Sequence, residues 1–287
     1  MPTRPILDWY AEHQRDLPWR TPDATPWSIL VSEIMLQQTP VVRVLPVWEE
    51  WMRRWPAPEA LAKEPSGEAV RAWGRLGYPR RALRLHACAT AIVAEHGGEV
   101  PDDHAELLAL PGIGAYTAAA VASFAFRQRH AVLDTNVRRV LARMRSGEEY
   151  PPKAQTVAEL RLAESLLPDD APTAATWAVA VMELGALICT ARAPRCADCP
   201  VISQCRWYLD GKPAYDGPAR KGQSYAGTDR QCRGRLLAVL RDAPGPVEKP
   251  VLDVVWADSV QRERALDTLI ADGLVDPLDD GRYALPR

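Results

Sequence analysis

The chain has 287 residues, of which 47% are hydrophobic, and it carries a formal net charge of −2. This length accommodates two domains with a sizeable core. This net charge is close to neutral, so the protein is not basic overall. Any DNA-binding surface must therefore come from local clusters of arginine. No apolar run reaches 18 residues and the N-terminus lacks the layout of a secretory signal, so we expect a cytoplasmic protein without a membrane partner.

Helices account for most of the predicted secondary structure, because Ala and Leu are abundant and only two Phe occur. Prolines stand between the periodic apolar segments, where they end helices. Helices are predicted, in chain order, at 4–17, 29–38, 41–54, 66–75, 80–95, 104–109, 115–125, 135–145, 153–167 and 172–188. A Pro/Gly-rich linker follows at 214–227. The remainder, 228–287, reads as helices, a short apolar segment and a hairpin with a DDG turn, which suggests a winged-helix-like α+β module.

The helix predicted at 29–38 is apolar almost all round, with Ser28 as its N-cap. A helix of this kind is buried, and burial disfavours the charged form of a carboxyl group. Glu33, which lies within this helix, is therefore a candidate general acid. In the alternative interpretation, Glu33 forms a solvent-exposed polar strip with Ser28 and Ser32.

A Pro-Gly turn, LPGIGAYTAAA at 110–120, separates two predicted helices. Gly112 and Gly114 allow positive φ or close backbone approach, and the N-terminus of the next helix can bind an anion such as a DNA phosphate. A plain tight turn explains the segment equally well. Downstream, LDTNVRR at 133–139 places Asp134 at a helix N-cap.

Four of the six cysteines lie within 17 positions, at Cys189, Cys196, Cys199 and Cys205. In a reducing compartment such an array indicates a metal site rather than disulfides. Four thiolates can hold Zn²⁺ in a closed tetrahedral site, or they can hold an iron–sulfur cluster.

Four segments together resemble the MutY-type adenine DNA glycosylases of the helix-hairpin-helix, or endonuclease III, superfamily. They are WSILVSEIMLQQT at 27–39, the hairpin at 110–120, LDTNVRR, and the cysteine array. The resemblance covers about residues 4–210. It implies an all-α, bilobal glycosylase core at 1–213, with a six-helix lobe at about 25–130 and an iron–sulfur lobe from 1–24 and 131–213. It also favours a [4Fe–4S] cluster over zinc.

The resemblance implies a monomeric, nucleoid-associated enzyme that hydrolyses the N-glycosidic bond of adenine mispaired with 8-oxoguanine or guanine in double-stranded DNA. Glu33 would protonate the base, and Asp134 would stabilise the positive sugar with Asn136 as its hydrogen-bonding companion. Lyase relatives carry a Lys where this chain has Tyr116. We therefore expect water to be the nucleophile and the DNA strand to stay intact.

Further residues are assigned to DNA contact by the same resemblance. Trp19, Arg20 and Glu183 would border the adenine pocket, and Glu183 needs a partner because its helix is apolar. The wedge positions are Leu36 and Gln38, the intercalating aromatic is Tyr78, and the backbone of the hairpin is contacted at Gly112 and Gly114. Independently of the resemblance, arginines cluster at 71–84 and 127–145. They form solvated helix faces or, because the clusters flank the hairpin, some of them contact phosphate.

Three other functions compete with this interpretation. A thymine or uracil mismatch glycosylase and an endonuclease III-like lyase belong to the same superfamily, but such pyrimidine-directed relatives lack an acid at the position of Glu33. A non-catalytic iron–sulfur DNA-binding regulator has no need of both Glu33 and Asp134. The Nudix-like C-terminal domain that reads 8-oxoguanine in many relatives has no recognisable counterpart in this sequence.

Overall fold

Helices make up most of the protein, as the composition predicts. The computed structural model describes residues 3–217 and 225–287. The helices before residue 218 are α1 (Thr3–His13), α2 (Pro26–Leu36), α3 (Val41–Arg54), α4 (Pro58–Ala62), α5 (Ser66–Trp73), α6 (Arg80–Glu95), α7 (His104–Ala109), α8 (Ala115–Phe126), α9 (Thr135–Leu141), α10 (Val157–Leu166), α11 (Ala171–Leu187) and α12 (Arg206–Leu209). Within the described ranges, no helix is long and apolar enough to cross a membrane.

The start of α2 differs from the prediction. The helix begins at Pro26, and Thr25 caps it: the Ser28 N–H donates to Thr25 Oγ1 at 3.1 Å. The Ser28 hydroxyl in turn donates to the Thr25 carbonyl at 2.8 Å. The prediction of Ser28 as N-cap is therefore wrong, because proline favours the first helical position and moves the start of the helix upstream. The short helix α4 was not predicted, since five residues are too few to show a period.

The described residues form two compact units. The first contains those within Met1–Ile29, Asp102–Ala109 and Ile113–Ala219, and the second those within Leu30–Pro101, Leu110–Gly112 and Arg220–Arg287. The predicted lobes, linker and C-terminal module remain a prediction. Part of the predicted linker, residues 218–224, lies outside the described residues.

Each unit has its own apolar core. In the first unit, α1, α9, α10 and α11 bury side chains that include Ile6, Trp9, Val137, Leu166, Trp177 and Leu184. In the second unit, Trp51 packs edge to face on Trp55 and Trp73, with ring centroids 4.8 and 5.7 Å apart. Edge-to-face pairs of this kind add to the stabilisation that burial provides.

Residues 225–287 form three helices and a small sheet. The helices are α13 (Asp229–Asp242), α14 (Lys249–Asp253) and α15 (Ser259–Ala271). The strands are β1 (Val247–Glu248), β2 (Asp276–Pro277) and β3 (Arg282–Ala284), paired antiparallel in the order β1-β3-β2. The predicted hairpin is confirmed as β2–β3. Strand β1 was not predicted, because a two-residue strand shows no alternation.

This C-terminal segment belongs to the same unit as α3–α6. Arg71 on α5 donates to the carbonyls of Leu240, Arg241 and Ala243 at the end of α13. In return, Arg241 Nε donates to the Val70 carbonyl at 2.9 Å. Since Arg71 also pairs with Glu68, this member of the arginine cluster is engaged within the protein.

Candidate active site and DNA-binding residues

Glu33 is a buried carboxyl group on α2. Its residue is 6% exposed, and Ser28 and Ser32 are 6% and 0% exposed. The alternative of a solvent-exposed polar strip is therefore wrong, because all three side chains are buried. The neighbours of Glu33 along α2, which include Leu30, Ile34 and Met35, are buried as well. An apolar helix that carries one buried carboxyl group provides the environment that a general acid needs.

Asp134 is the N-cap of α9, as predicted. Its Oδ1 accepts the Val137 N–H at 2.6 Å, and its Oδ2 accepts an N–H of the Asn136 side chain at 2.7 Å. Burial nevertheless raises the pKa of Asp134 above its ordinary value, because it outweighs these hydrogen bonds and the charge of Arg139. The residue is only half-buried, so part of it stays open to a ligand.

Arg139 connects the Asp134 turn to the cysteine segment. This buried guanidinium donates to Asn136 Oδ1 at 2.8 Å, to the Gly185 carbonyl at 2.7 Å and to the Cys189 carbonyl at 2.7 Å. Gly185 allows the close approach, since a Cβ there would lie 2.7 Å from Asn136 Cβ. Arg139 therefore fixes Asn136, and through it the carboxylate of Asp134. It does not supply the phosphate contact that the sequence suggested.

Glu183 lies fully buried on α11 and is paired with two arginines. Arg15 donates to both carboxylate oxygens at 2.7 and 2.6 Å, and its backbone N–H donates at 3.0 Å. Arg20 donates to Oε2 at 3.0 Å. Burial alone would raise the pKa of Glu183, but the hydrogen bonds and charges of the two arginines lower it to about 2. Arg15 and Arg20 are thus the partners that the sequence predicted for Glu183.

Arg20 and Trp19 lie in the short turn Pro18–Arg20 that precedes α2. Trp19 is buried. Arg20 Nη1 is also buried and has no hydrogen-bond acceptor among the described residues. A buried donor without an acceptor is costly, and such a group can be satisfied by a ligand. Arg15 is the residue of this group that the sequence reasoning missed.

The Pro-Gly turn at 110–114 is present. Gly112 has a φ of 79°, and a Cβ there would meet Arg84 Cβ at 2.7 Å, so only glycine fits. Gly114 is the N-cap of α8 with a φ of −102°, and no described atom lies within 4 Å of an added Cβ. Positive φ is therefore confirmed for Gly112. Gly114 has no positive φ, and close backbone approach by a ligand stays a prediction for it. Tyr116, in the first turn of α8, packs half-buried against an alanine cluster that includes Ala119 and Ala120.

The two candidate DNA-inserting residues Gln38 and Tyr78 have left-handed backbones. Their φ values are 59° and 49°, which is uncommon for residues other than glycine. Arg81 bridges them: its guanidinium donates to the Gln37 carbonyl and to Gln38 Oε1, and it stacks 4.4 Å from the centroid of the Tyr78 ring. Leu36, at the end of α2, is half-buried. Sequence reasoning placed Arg81 in a phosphate-binding cluster, whereas here it holds the two exposed side chains.

The four predicted metal ligands line one cavity. Cys189, Cys196, Cys199 and Cys205 surround it together with Arg143 and Trp207. Arg143 donates to Cys189 Sγ at 3.3 Å and to carbonyls of the same loop. No three His, Cys, Asp or Glu side chains in the described ranges converge on one ion position. The thiols are instead spread around a shared space.

Most arginines of the 127–145 cluster have structural roles. Arg127 and Arg129 donate to the Pro172 and Pro168 carbonyls at 3.2 and 2.8 Å, and Arg138 pairs with Glu159 at 2.8 Å. Arg143 is 1% exposed. These guanidinium groups already bind carbonyls and carboxylates within the protein, so the structure gives them an intramolecular role; phosphate contact by some members of the cluster stays a prediction.

Comparison with known proteins agrees with this arrangement. Residues 31–165 match the family model of the HhH-GPD superfamily base excision DNA repair proteins. The adenine DNA glycosylase of Mycobacterium tuberculosis (strain CDC 1551 / Oshkosh) is 55% identical over 282 residues, which are 98% of this chain and 92% of that protein. A thermostable thymine-DNA glycosylase of known structure is 30% identical, with a TM-score of 0.65 over 72% of this chain and 95% of that one. Endonuclease III in a non-covalent complex with DNA shares the fold, with a TM-score of 0.61, 23% identity and coverage of 73% and 94%.

Proposed function

This chain belongs to the adenine DNA glycosylases of the helix-hairpin-helix superfamily, and we propose that it removes adenine mispaired with 8-oxoguanine or guanine. It is a hydrolase of base excision repair that acts on adenine, and DNA is its partner. The observation that carries the proposed chemistry is the presence of two carboxyl groups in different settings. Glu33 is buried in an apolar helix, whereas Asp134 is a half-buried N-cap.

In the proposed mechanism the proton of Glu33 passes to a ring nitrogen of adenine. The electrons of the glycosidic bond then leave with the base, and positive charge develops on the sugar. The ionised carboxylate of Asp134 stabilises that charge, while Asn136 holds its orientation. Water adds to the sugar carbon, and Asp134 accepts the proton that this water loses.

We propose a glycosylase without lyase activity, because Tyr116 stands where a lysine would form the Schiff base. A phenol cannot form an imine with the sugar, so the amine-dependent route to strand cleavage is closed. The packing of Tyr116 against the alanine cluster supports a positioning role at the hairpin.

The adenine pocket in this proposal is organised by Glu183 without direct contact to the base. Both Glu183 oxygens already accept hydrogen bonds from Arg15 and Arg20. The carboxylate therefore orients Arg20, whose buried Nη1 offers a donor to the base beside Trp19.

Leu36 and Gln38 would fill the gap left by the extruded adenine. Tyr78 would insert beside the opposite base, and the backbone at Gly112 and Gly114 would bind phosphate.

We propose a [4Fe–4S] cluster for the four-cysteine cavity. Four thiols spread around one shared space would suit a cluster of several iron atoms better than a single zinc ion, which needs four sulfurs at one point. The four cysteines would hold the cluster in the loop after α11, and the contacts of Arg139 and Arg143 join that loop to α9 and the turn that follows it. A brown protein that absorbs near 400 nm is the expected result. A colourless protein with stoichiometric zinc would contradict the proposal.

For the C-terminal segment we propose a winged-helix-like module, on the basis of its order α13-β1-α14-α15-β2-β3 and its β1-β3-β2 sheet. We further propose a monomeric enzyme that works at the nucleoid, where its DNA substrate is located.

One assay tests the mispair and the mechanism together. Purified protein is incubated with duplexes that carry A:8-oxoG, A:G, T:G or U:G, and the products are analysed with and without alkali. We expect cleavage after alkali in the first two duplexes only, and no covalent trapping by borohydride.

Glu33→Gln is expected to bind these duplexes normally while excision falls roughly 10²–10⁴-fold. Excision from T:G or U:G, or efficient trapping, would overturn the corresponding part of the proposal.

A further inference from the structure

A broad cleft lies within the second unit, between α13 and the loop at 74–79. Its volume is about 820 Å³, and its walls include Gln38 and Tyr78 on one side and Tyr225 and Arg235 on the other. The cleft therefore joins the residues proposed to insert into DNA with the helix that begins the C-terminal segment.

The charged side chains that line this cleft are all positive among the described residues. Six arginines contribute to its lining and, among the described residues, no Asp or Glu does; the six are Arg43, Arg75, Arg230, Arg233, Arg235 and Arg241. The whole chain has a formal net charge of −2, so this concentration of positive charge is local. A concave surface of one sign attracts a polyanion and raises its rate of association.

At least three of the six arginines bind other groups of the protein; Arg43, for example, donates to the Arg75 carbonyl. Arg233 pairs with Asp272 at 2.5 Å, and Arg241 is tied to the Val70 carbonyl. Arg75, Arg230 and Arg235 are exposed. Arg230 and Arg235 lie 5.3 and 5.2 Å from the ring centroids of Tyr225 and Trp256, contacts that orient a guanidinium while leaving its charge intact.

The middle of α13 also leaves room for a ligand. Gly234 interrupts this helix, although glycine weakens a helix interior. Among the residues that the structure describes, a Cβ added there would meet only the Tyr225 hydroxyl, at 3.5 Å. The helix backbone is therefore open to close approach at the point where the arginines surround it.

We propose that this cleft binds the sugar–phosphate backbone of the DNA strand that passes Tyr78, so that α13 acts as a second DNA-contacting element. The inference rests on the proposed function only for the position of that strand. Arginine contacts to phosphate carry no sequence information, and they make binding depend strongly on salt. The module thus adds affinity and fixes the orientation of the duplex.

Equilibrium binding to an undamaged duplex, measured by fluorescence anisotropy over a range of salt concentrations, tests the proposal. The double variant R230A/R235A is expected to raise the Kd about 10-fold. The slope of log K against log salt concentration should be smaller in magnitude by about 1 to 2, because binding releases fewer counterions. Gly234→Glu, which places a carboxylate in the cleft, is expected to weaken binding similarly. Gly234→Ala should bind like the wild type, because it adds only a methyl group.

Arg282→Ala is the control for charge, since this exposed arginine lies in β3 and pairs with Asp280. Circular dichroism melts establish that each variant is folded. An unchanged Kd and salt slope in both R230A/R235A and Gly234→Glu would overturn the inference, as would an equal loss in Arg282→Ala. Because the duplex is undamaged, a failure to excise adenine opposite 8-oxoguanine would refute the proposed function and leave this test intact.

Discussion

Asp134 and Glu183 are two acidic side chains in the same unit, and their environments shift their pKa values in opposite directions. Glu183 is fully buried against the guanidinium groups of Arg15 and Arg20, and its pKa falls to about 2. Asp134 accepts hydrogen bonds from Asn136 and Val137, which are neutral donors, and burial raises its pKa. The charge of the nearest partner, rather than the depth of burial, decides the direction of the shift.

This difference separates a structural carboxylate from a reactive one. Ionised Glu183 stabilises the fold, since its charge is compensated at every oxygen. Ionised Asp134 is held at a cost in stability, because neutral donors compensate its charge incompletely. A carboxylate of the second kind can stabilise a positive charge that appears only during the reaction.

The largest expected effect comes from Asp134→Asn. Excision should fall roughly 10³-fold with the loss of the charge, whereas the melting temperature should stay the same or rise, because Asn caps a helix as well as Asp does. Single-turnover kinetics and thermal melts measure the two quantities. A parallel loss of activity and stability would show that Asp134 is mainly a structural cap.

Glu183→Gln, unlike Asp134→Asn, should reduce the stability of the protein. Removing one partner of a buried ion pair leaves charge uncompensated, and we expect a loss of about 3 kcal/mol in the free energy of unfolding, at the low end of the usual range because Arg15 is partly exposed. Urea unfolding measures this loss. Arg4→Ala, which breaks an exposed pair with Asp8, is the matched control and should change the stability little.

The acid stability of the wild type should depend on Glu183. Its pKa is lower in the folded protein than its ordinary value of 4.5, so its stabilisation is complete above that pH and is lost as the pH falls towards 2. The difference corresponds to about 3 kcal/mol. We expect Glu183→Gln to show a shallower fall in stability over this range. Identical acid-unfolding curves would mean that other carboxylates govern the transition.

Asn136→Ala should have the smallest of these effects. Without the Asn136 donor the pKa of Asp134 rises further, and since the ionised form is the active one, the acidic limb of the excision profile moves to higher pH. A shift of about one pH unit corresponds to the loss of one hydrogen bond to a charged group. The excision rate measured against pH tests this; an unshifted limb would mean that Asn136 does not act on Asp134.

The sequence predicted the elements of the site that depend on local pattern. Asp134 as N-cap, positive φ at Gly112 and the hairpin in the C-terminal segment all follow from neighbouring residues. The need of Glu183 for a partner also followed, from its apolar helix. The identity of that partner did not, because Arg15 lies 168 positions away in the chain.

Arginine clusters could not be interpreted from the sequence. The density of arginines at 127–145 is the same whether they face solvent, phosphate or backbone carbonyls, and only the fold shows that Arg138 and Arg143 have partners in the protein. Positive φ at Gln38 and Tyr78 was equally hidden, since local preference favours such a backbone only for glycine and a few small polar residues. Tertiary contacts such as those of Arg81 hold it in place.

The contacts between α5 and the C-terminal segment have a consequence for cooperativity. Arg71, Arg241 and the hydrogen bond from the Gly67 N–H to the Pro286 carbonyl, 2.7 Å long, hold 225–287 against the helix that carries Trp73. Residues 1–217 and 225–287 produced as two separate chains should therefore associate. Deleting the segment removes part of a folding unit rather than an appendage.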